Sequence, residues 1–147
     1  DLPHDFNDTA LQVLDSADMI LMVATPDMAS VRATAAAMDT YSKLGYPKEK
    51  IKLVINATFP RSGLPKDKIE TALGLTSIVT IPHVQDVFVD AINHGQPPVF
   101  HKPDESISAL LEDFAFFISK EGHKKSKPEL PTEAWKRVYN RYQKRKK

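Results

Sequence analysis

Met19-Ile20-Leu21-Met22-Val23-Ala24, stopped by Thr25-Pro26-Asp27, decides how this chain is read. Six apolar residues without polar alternation predict a strand covered on both faces, as in a parallel sheet. The run is far too short to cross a bilayer, which takes about 20 apolar residues. Upstream, residues 9–17 carry Leu11, Val13 and Leu14 behind Asn7-Asp8, a pair able to cap a short helix. Downstream, residues 29–44 are Ala-rich and space Val31, Ala35, Met38 and Tyr41 along one helix face, closed by Gly45-Tyr46-Pro47. The pattern then recurs. Residues 51–55 and 77–81 read as strands, residues 65–73 as a helix ended by Gly74, and residues 85–93 as a helix ended by Gly95. Strand alternating with helix predicts an α/β domain, a parallel sheet flanked by helices and joined by right-handed crossovers. Residues 104–119 add an amphipathic helix with Ile107, Leu110, Leu111, Phe114 and Phe117 on one face.

A length of 147 residues and a hydrophobic content of 41% suit one globular domain. The absence of cysteine excludes disulfides, thiolate zinc sites and cysteine nucleophiles, and makes a cytoplasmic location the expectation. The net charge of +1 conceals a split. Residues 120–147 hold 11 Lys and Arg against 3 Asp and Glu, so the preceding body, with 9 basic and 16 acidic residues, is acidic. Such a division predicts a tail that meets an anionic surface or partner.

Open α/β sheets bind ligands at the carboxyl ends of their strands. Three such loops are visible: Thr25-Pro26-Asp27, Asn56-Ala57-Thr58-Phe59-Pro60-Arg61 and Pro82-His83-Val84-Gln85. Asp1 opens a fourth, because Asp1-Leu2-Pro3-His4-Asp5 reads as a strand end entering an acidic loop, with the strand itself expected upstream. Asn56 can offer its amide oxygen and nitrogen to a purine edge, donating and accepting at once. The same residue type also forms loops by bonding its own backbone. His4, His83, His94, His101 and His123 lack His-x-x-x-His spacing and read as surface or satisfied histidines. Asp104-Glu105 and Glu112-Asp113 read as acids that cap or solvate an exposed helix face.

Asp1-Leu2-Pro3, Ala17-Asp18 before an apolar strand, Pro26-Asp27 with Ser30-Val31-Arg32, a strand ending in Asn56, Ser62-Gly63, Ile81-Pro82 and Ala91-x-x-x-Gly95-x-Pro97 occur in an informative order. Over residues 1–100 this resembles the C-terminal half of a MinD/ParA-class P-loop ATPase, most nearly the CpaE-like ATPases of Tad/Flp pilus assembly. The resemblance implies a P-loop NTPase-like fold whose N-terminal half, with its phosphate loop, lies outside the sequence. It implies ATP or ADP and Mg as cofactors, homodimerisation driven by nucleotide, and pilus or secretion assembly proteins as partners. By position, Asp1 corresponds to the acid that meets Mg through water, and Pro3, His4 and Asp5 to a switch loop. Asn56 corresponds to the adenine reader, Pro82, His83 and Val84 to the loop beside the base, and Ser30, Val31 and Arg32 to a dimer or partner surface. The motif K-G-G-x-G-K-T is absent from the 147 residues, so this stretch alone is not expected to hydrolyse ATP. Asp5 stands where many relatives have Gly, and Ala57 where many have Arg, with Arg61 nearby.

The sequence divides at residues 1–120, the ATPase-like part, 121–131, a basic linker, and 132–147, a basic amphipathic helix. On that helix Trp135, Val138, Tyr139 and Tyr142 form one stripe, beside Lys136, Arg137 and Arg141. Such a tail suits packing on the acidic body or a partner, contact with an anionic membrane at the inner-membrane surface, or nucleic acid, in that order. Two functions follow: a dimerising switch ATPase completed by an upstream phosphate loop, or a non-catalytic scaffold of the same fold.

Overall fold

The computed structural model describes residues 2, 5–61, 63–119, 124 and 127–145. The chain forms two compact units, Asp1–His83 and Val84–Lys147. In the first, helix α1 (Asp8–Ser16) precedes strand β1 (Ile20–Ala24), helix α2 (Met28–Lys43), strand β2 (Ile51–Asn56), helix α3 (Lys66–Leu73) and strand β3 (Ser77–Ile81), with a single 3-10 turn at Lys48–Lys50 before β2. The strands form a parallel sheet in the order β1-β2-β3. Ile20 to Ala24 pair in register with Ile51 to Ile55, and β3 joins β2 with one irregularity between Leu53 and Val54.

Helix ends follow their sequence signals. Asn7 caps α1 by accepting from Ala10 N–H at 2.8 Å, and Gly74 ends α3 at φ 60°, a conformation that costs glycine little. The core lies on one face of the sheet. Ala24, Leu53 and Ile55 meet Val31 of α2 and Ile69 and Leu73 of α3, while Ile20 and Ile51 meet Leu14 of α1. Each fully buried Leu or Ile contributes about 1.5–3 kcal/mol of transfer free energy. The opposite face of β1 departs from the expected two-sided cover. Leu21 and Val23 are 39% and 56% exposed, because α1, α2 and α3 pack on the other face, that of Ile20, Met22 and Ala24.

The loop after β2 is tied to the loop after β1. Leu64 N–H donates to the Pro26 carbonyl at 2.7 Å. At Gly63 a Cβ would sit 2.1 Å from that same oxygen. Only glycine admits this approach without moving backbone.

The second unit is helical: α4 (Gln85–Asn93), α5 (Pro98–His101), α6 (Ser106–Ile118) and α7 (Glu133–Arg145). Helix α5 was not expected from the sequence. Ile107 is buried on α6, but Phe117, predicted to share its face, is 63% exposed.

The basic helix α7 docks on α6 through arginines. Arg137 donates from Nε to Glu112 Oε1 at 3.0 Å and from Nη2 to the Val99 carbonyl at 3.0 Å. Arg141 reaches Glu112 Oε2 at 2.7 Å and Asp113 Oδ1 at 2.8 Å, and Arg145 reaches Asp113 Oδ2 at 2.8 Å. Glu112, read from sequence as a solvated acid, is therefore buried, its side chain 3% exposed between two guanidinium groups. The stripe of α7 packs as well: Val138 is buried, Trp135 stacks on Tyr139, and Tyr142 meets Phe116. Of the residues expected to meet a membrane or partner, Arg137 and Arg141 already have carboxylates, and Lys136 pairs with Glu133. Of the expected linker, residues 121–123 and 125–126 lie outside the described residues.

Two outcomes follow from these contacts. Glu112→Ala leaves two partly buried arginines without their shared acceptor and should cost about 3 kcal/mol. Urea unfolding followed by fluorescence of Trp135, the sole tryptophan, checks this, and a loss below about 1 kcal/mol contradicts the docking. Gly63→Ala should cost about 1–3 kcal/mol and expose the Leu64 amide. Hydrogen exchange at Leu64 as slow in the variant as in the parent would refute the close approach.

Candidate functional site

The carboxyl ends of β1, β2 and β3 emerge along one edge of the sheet, because all three strands run parallel. The first loop is internally locked. Asp27 caps α2, accepting from Ser30 N–H at 2.9 Å through Oδ1 and from the Thr25 hydroxyl through Oδ2. Ser30 Oγ accepts from Thr25 N–H at 2.9 Å, closing the ring of bonds. The Thr25 hydroxyl, followed by the Ser30 backbone, holds the Asp27 carboxyl below its ordinary 3.8. Asp27 thus stays ionised as a cap at neutral pH and is spent on the loop's own geometry.

This lock redistributes the residues expected at a dimer or partner surface. Ser30 bonds within the loop, and Val31 is 5% exposed in the core beside Ala24 and Leu53. A helix start must turn one residue in each turn toward the sheet, and Val31 is that residue. Arg32 alone of the three has an exposed side chain.

Asn56 is the last residue of β2, opposite Ile81 at the end of β3, and is half-buried. Ala57 N–H continues the pairing by donating to the Ile81 carbonyl at 2.9 Å. The Asn56 amide bonds no other described residue. The loop-former role, in which Asn holds its own backbone, is therefore not the one seen among the described residues. A donor and an acceptor remain at the end of the central strand, a pair that fits the edge of a purine. Pro82 is exposed and His83 half-buried just beyond β3, while Val84 opens the second unit as the residue before α4.

The fit to a nucleotide is one-sided. Asn56 presents a hydrogen-bond donor and an acceptor opposite the end of β3. The charge needed for phosphates is thin: Arg61, exposed in the loop after β2, is the basic residue nearest in sequence to Asn56 on its C-terminal side, and Ala57 brings none. Asp5 is exposed. Asp1, Pro3 and His4, expected at Mg and in the switch loop, lie outside the described residues.

A separate cluster escaped the sequence reading. Asp90, His94 and His101 come together in the second unit, although the two histidines are seven residues apart. The signal was present as Asp90 and His94 one helical turn apart, but only the return of α5 completes it.

No family model matches the chain, and no curated protein matches it. Solved structures do. A ParA family ATPase from Chlorobium tepidum TLS superposes with a TM-score of 0.67 at 23% identity, over 74% of this chain and 45% of that one. The septum site-determining protein MinD complexed with Mg-ADP from Pyrococcus horikoshii OT3 gives 0.69 at 20% identity, over 87% and 52%. A chain of the MinC:MinD cell division protein complex of Aquifex aeolicus gives 0.63 at 19%, over 85% and 50%. This chain therefore spans about half the length of the ATPases it resembles, and it has the P-loop NTPase-like fold of that half.

Proposed function

We propose that this chain supplies the adenine-side surface of an ATP- and Mg-dependent switch ATPase of the MinD/ParA class. A phosphate loop outside the 147 residues completes the site, and Asp1 meets Mg through water. The observation that carries this reading is Asn56, whose amide, uncommitted among the described residues, ends the central strand of a fold shared with a MinD protein solved with Mg-ADP. Asn56 reads the base, the loop of Pro82, His83 and Val84 packs beside it, and the phosphates are held elsewhere. Nucleotide-driven pairing of two copies makes the protein a cytoplasmic switch. Pilus or secretion-machine assembly, the role of CpaE-like ATPases, is the machine the order of sequence motifs favours.

A second reading has its own support. Ala57 adds no charge beside Asn56, and Asp5 puts an exposed carboxylate in the loop that would approach phosphate. Both suit a non-catalytic scaffold that keeps the fold and acts through its surfaces. With Arg137 and Arg141 committed to Glu112 and Asp113, the α7 helix serves packing first, and a peripheral membrane role falls to exposed residues such as Lys144.

In the full-length protein, Asn56→Ala should weaken ATP binding about tenfold or more while leaving GTP affinity unchanged, since two base-edge hydrogen bonds are lost. Competition of ATP and GTP against a fluorescent nucleotide measures both. Equal or absent effects on the two nucleotides contradict base reading by Asn56. A parent protein that binds neither nucleotide at millimolar concentration belongs to the scaffold reading.

A further inference from the structure

Helices α4 and α5 gather two imidazoles and a carboxylate around one point. Asp90 lies on α4, His94 caps the helix one turn later, and His101 ends α5 after the turn at Gly95-Gln96-Pro97. One donor atom from each of the three lies within 4.8 Å of the others. The rings of His94 and His101 stack with centroids 4.2 Å apart. We propose that Asp90, His94 and His101 bind a borderline divalent metal ion, Zn2+ foremost, which clips α4 to α5.

The donor set selects the class of ion. Two imidazoles and one carboxylate suit Zn2+ and its neighbours Co2+, Ni2+ and Cu2+, whereas Mg2+ and Ca2+ prefer oxygen alone. Three protein ligands leave a fourth position for water. The spacing is close to what such an ion needs. Bonds of about 2.0–2.1 Å in a tetrahedron place neighbouring ligands about 3.3 Å apart. His101 Nε2 is already 3.1 Å from Asp90 Oδ2. His94 must close the remaining gap, and its side chain, 56% exposed, has room to rotate.

His94 Nδ1 is the nitrogen that faces the cluster. It lies 3.3 Å from Asp90 Oδ1 and 2.8 Å from the Asp90 carbonyl. Rotation of the ring off that carbonyl frees Nδ1 for the ion.

Lys102 occupies part of the site. Lys102 Nζ lies 2.6 Å from Asp90 Oδ2, the oxygen that His101 also approaches. An ammonium on a flexible stem, with its side chain 37% exposed, can leave when a divalent ion arrives. Lys102 is then a competitor whose removal strengthens metal binding, an effect opposite to that of deleting a ligand.

The test is titration of the 147-residue chain with Zn2+ by calorimetry, with Co2+ absorption as a report of coordination geometry. One equivalent should bind with a dissociation constant of roughly 10 μM or below and raise the unfolding temperature of the chain. His94→Gln with His101→Gln should abolish stoichiometric binding, and Asp90→Asn should weaken it while changing shape least. Lys102→Met should tighten binding several-fold. His4→Gln, His83→Gln and His123→Gln combined should leave it unchanged. Absence of stoichiometric Zn2+ binding below about 100 μM overturns the site, as does binding that survives both ligand variants or vanishes with the other three histidines. Should the double variant fold poorly without metal, as seen by circular dichroism, the opposed effects of Asp90→Asn and Lys102→Met decide the matter.

Discussion

Strand β2 can satisfy its backbone only between two parallel neighbours, and the first unit is arranged around that requirement. Its residues Leu53, Val54 and Ile55 are at most 3% exposed, so every peptide group there must find a partner in β1 or β3. Parallel neighbours cannot be joined by tight turns; each needs a crossover, and α2 and α3 provide them. The consequence reaches function directly. Once β2 is sandwiched in this way, the segments after all three strands leave from the same edge, and Asn56 is placed among them by the sheet rather than by its own loop.

Charge organises the second unit by a different rule. A buried carboxylate such as Glu112 is costly unless hydrogen-bonded and paired, and here two guanidinium groups share it. Because Arg137, Arg141 and Arg145 recur every four residues, they lie along one face of α7 and meet Glu112 and Asp113 as a line of forks. The basic composition of the tail is thus partly an internal counterion for the acidic body, and composition alone overstates how much positive charge faces outward.

Much of the architecture was legible in the sequence because it depends on local signals. The apolar runs of β1 and β2, the Asn7 cap and the Gly74 stop each act over a few residues, and boundaries fell within two residues of expectation. What could not be read was set by contacts distant in sequence. The exposed face of β1 depends on which side of the sheet the helices pack, and the burial of Glu112 depends on arginines 25 and 29 positions later. Ser30 and Val31 illustrate the middle case: adjacent residues at a helix start, one bonded into the loop lock and one turned into the core. Asn56 was legible as a candidate from its place at a strand end, but only the structure shows its amide uncommitted among the described residues. His94 and His101 became neighbours through α5, a helix of four residues whose sequence carries too little periodicity to be recognised.

The one-sided character of the site limits what this half of the fold can do on the proposed reading. Two neutral hydrogen bonds from an amide to a base edge contribute about 1–3 kcal/mol net. Micromolar affinity needs about 8 kcal/mol. Asn56 can therefore discriminate among bases but cannot hold a nucleotide, and the shortfall must come from charge-assisted bonds to phosphates, which are stronger and indifferent to the base. Selection and retention would then reside in different halves of one domain. Such a division makes the junction between the halves, where base and phosphates share one rigid ligand, the place at which nucleotide binding reports on assembly of the whole.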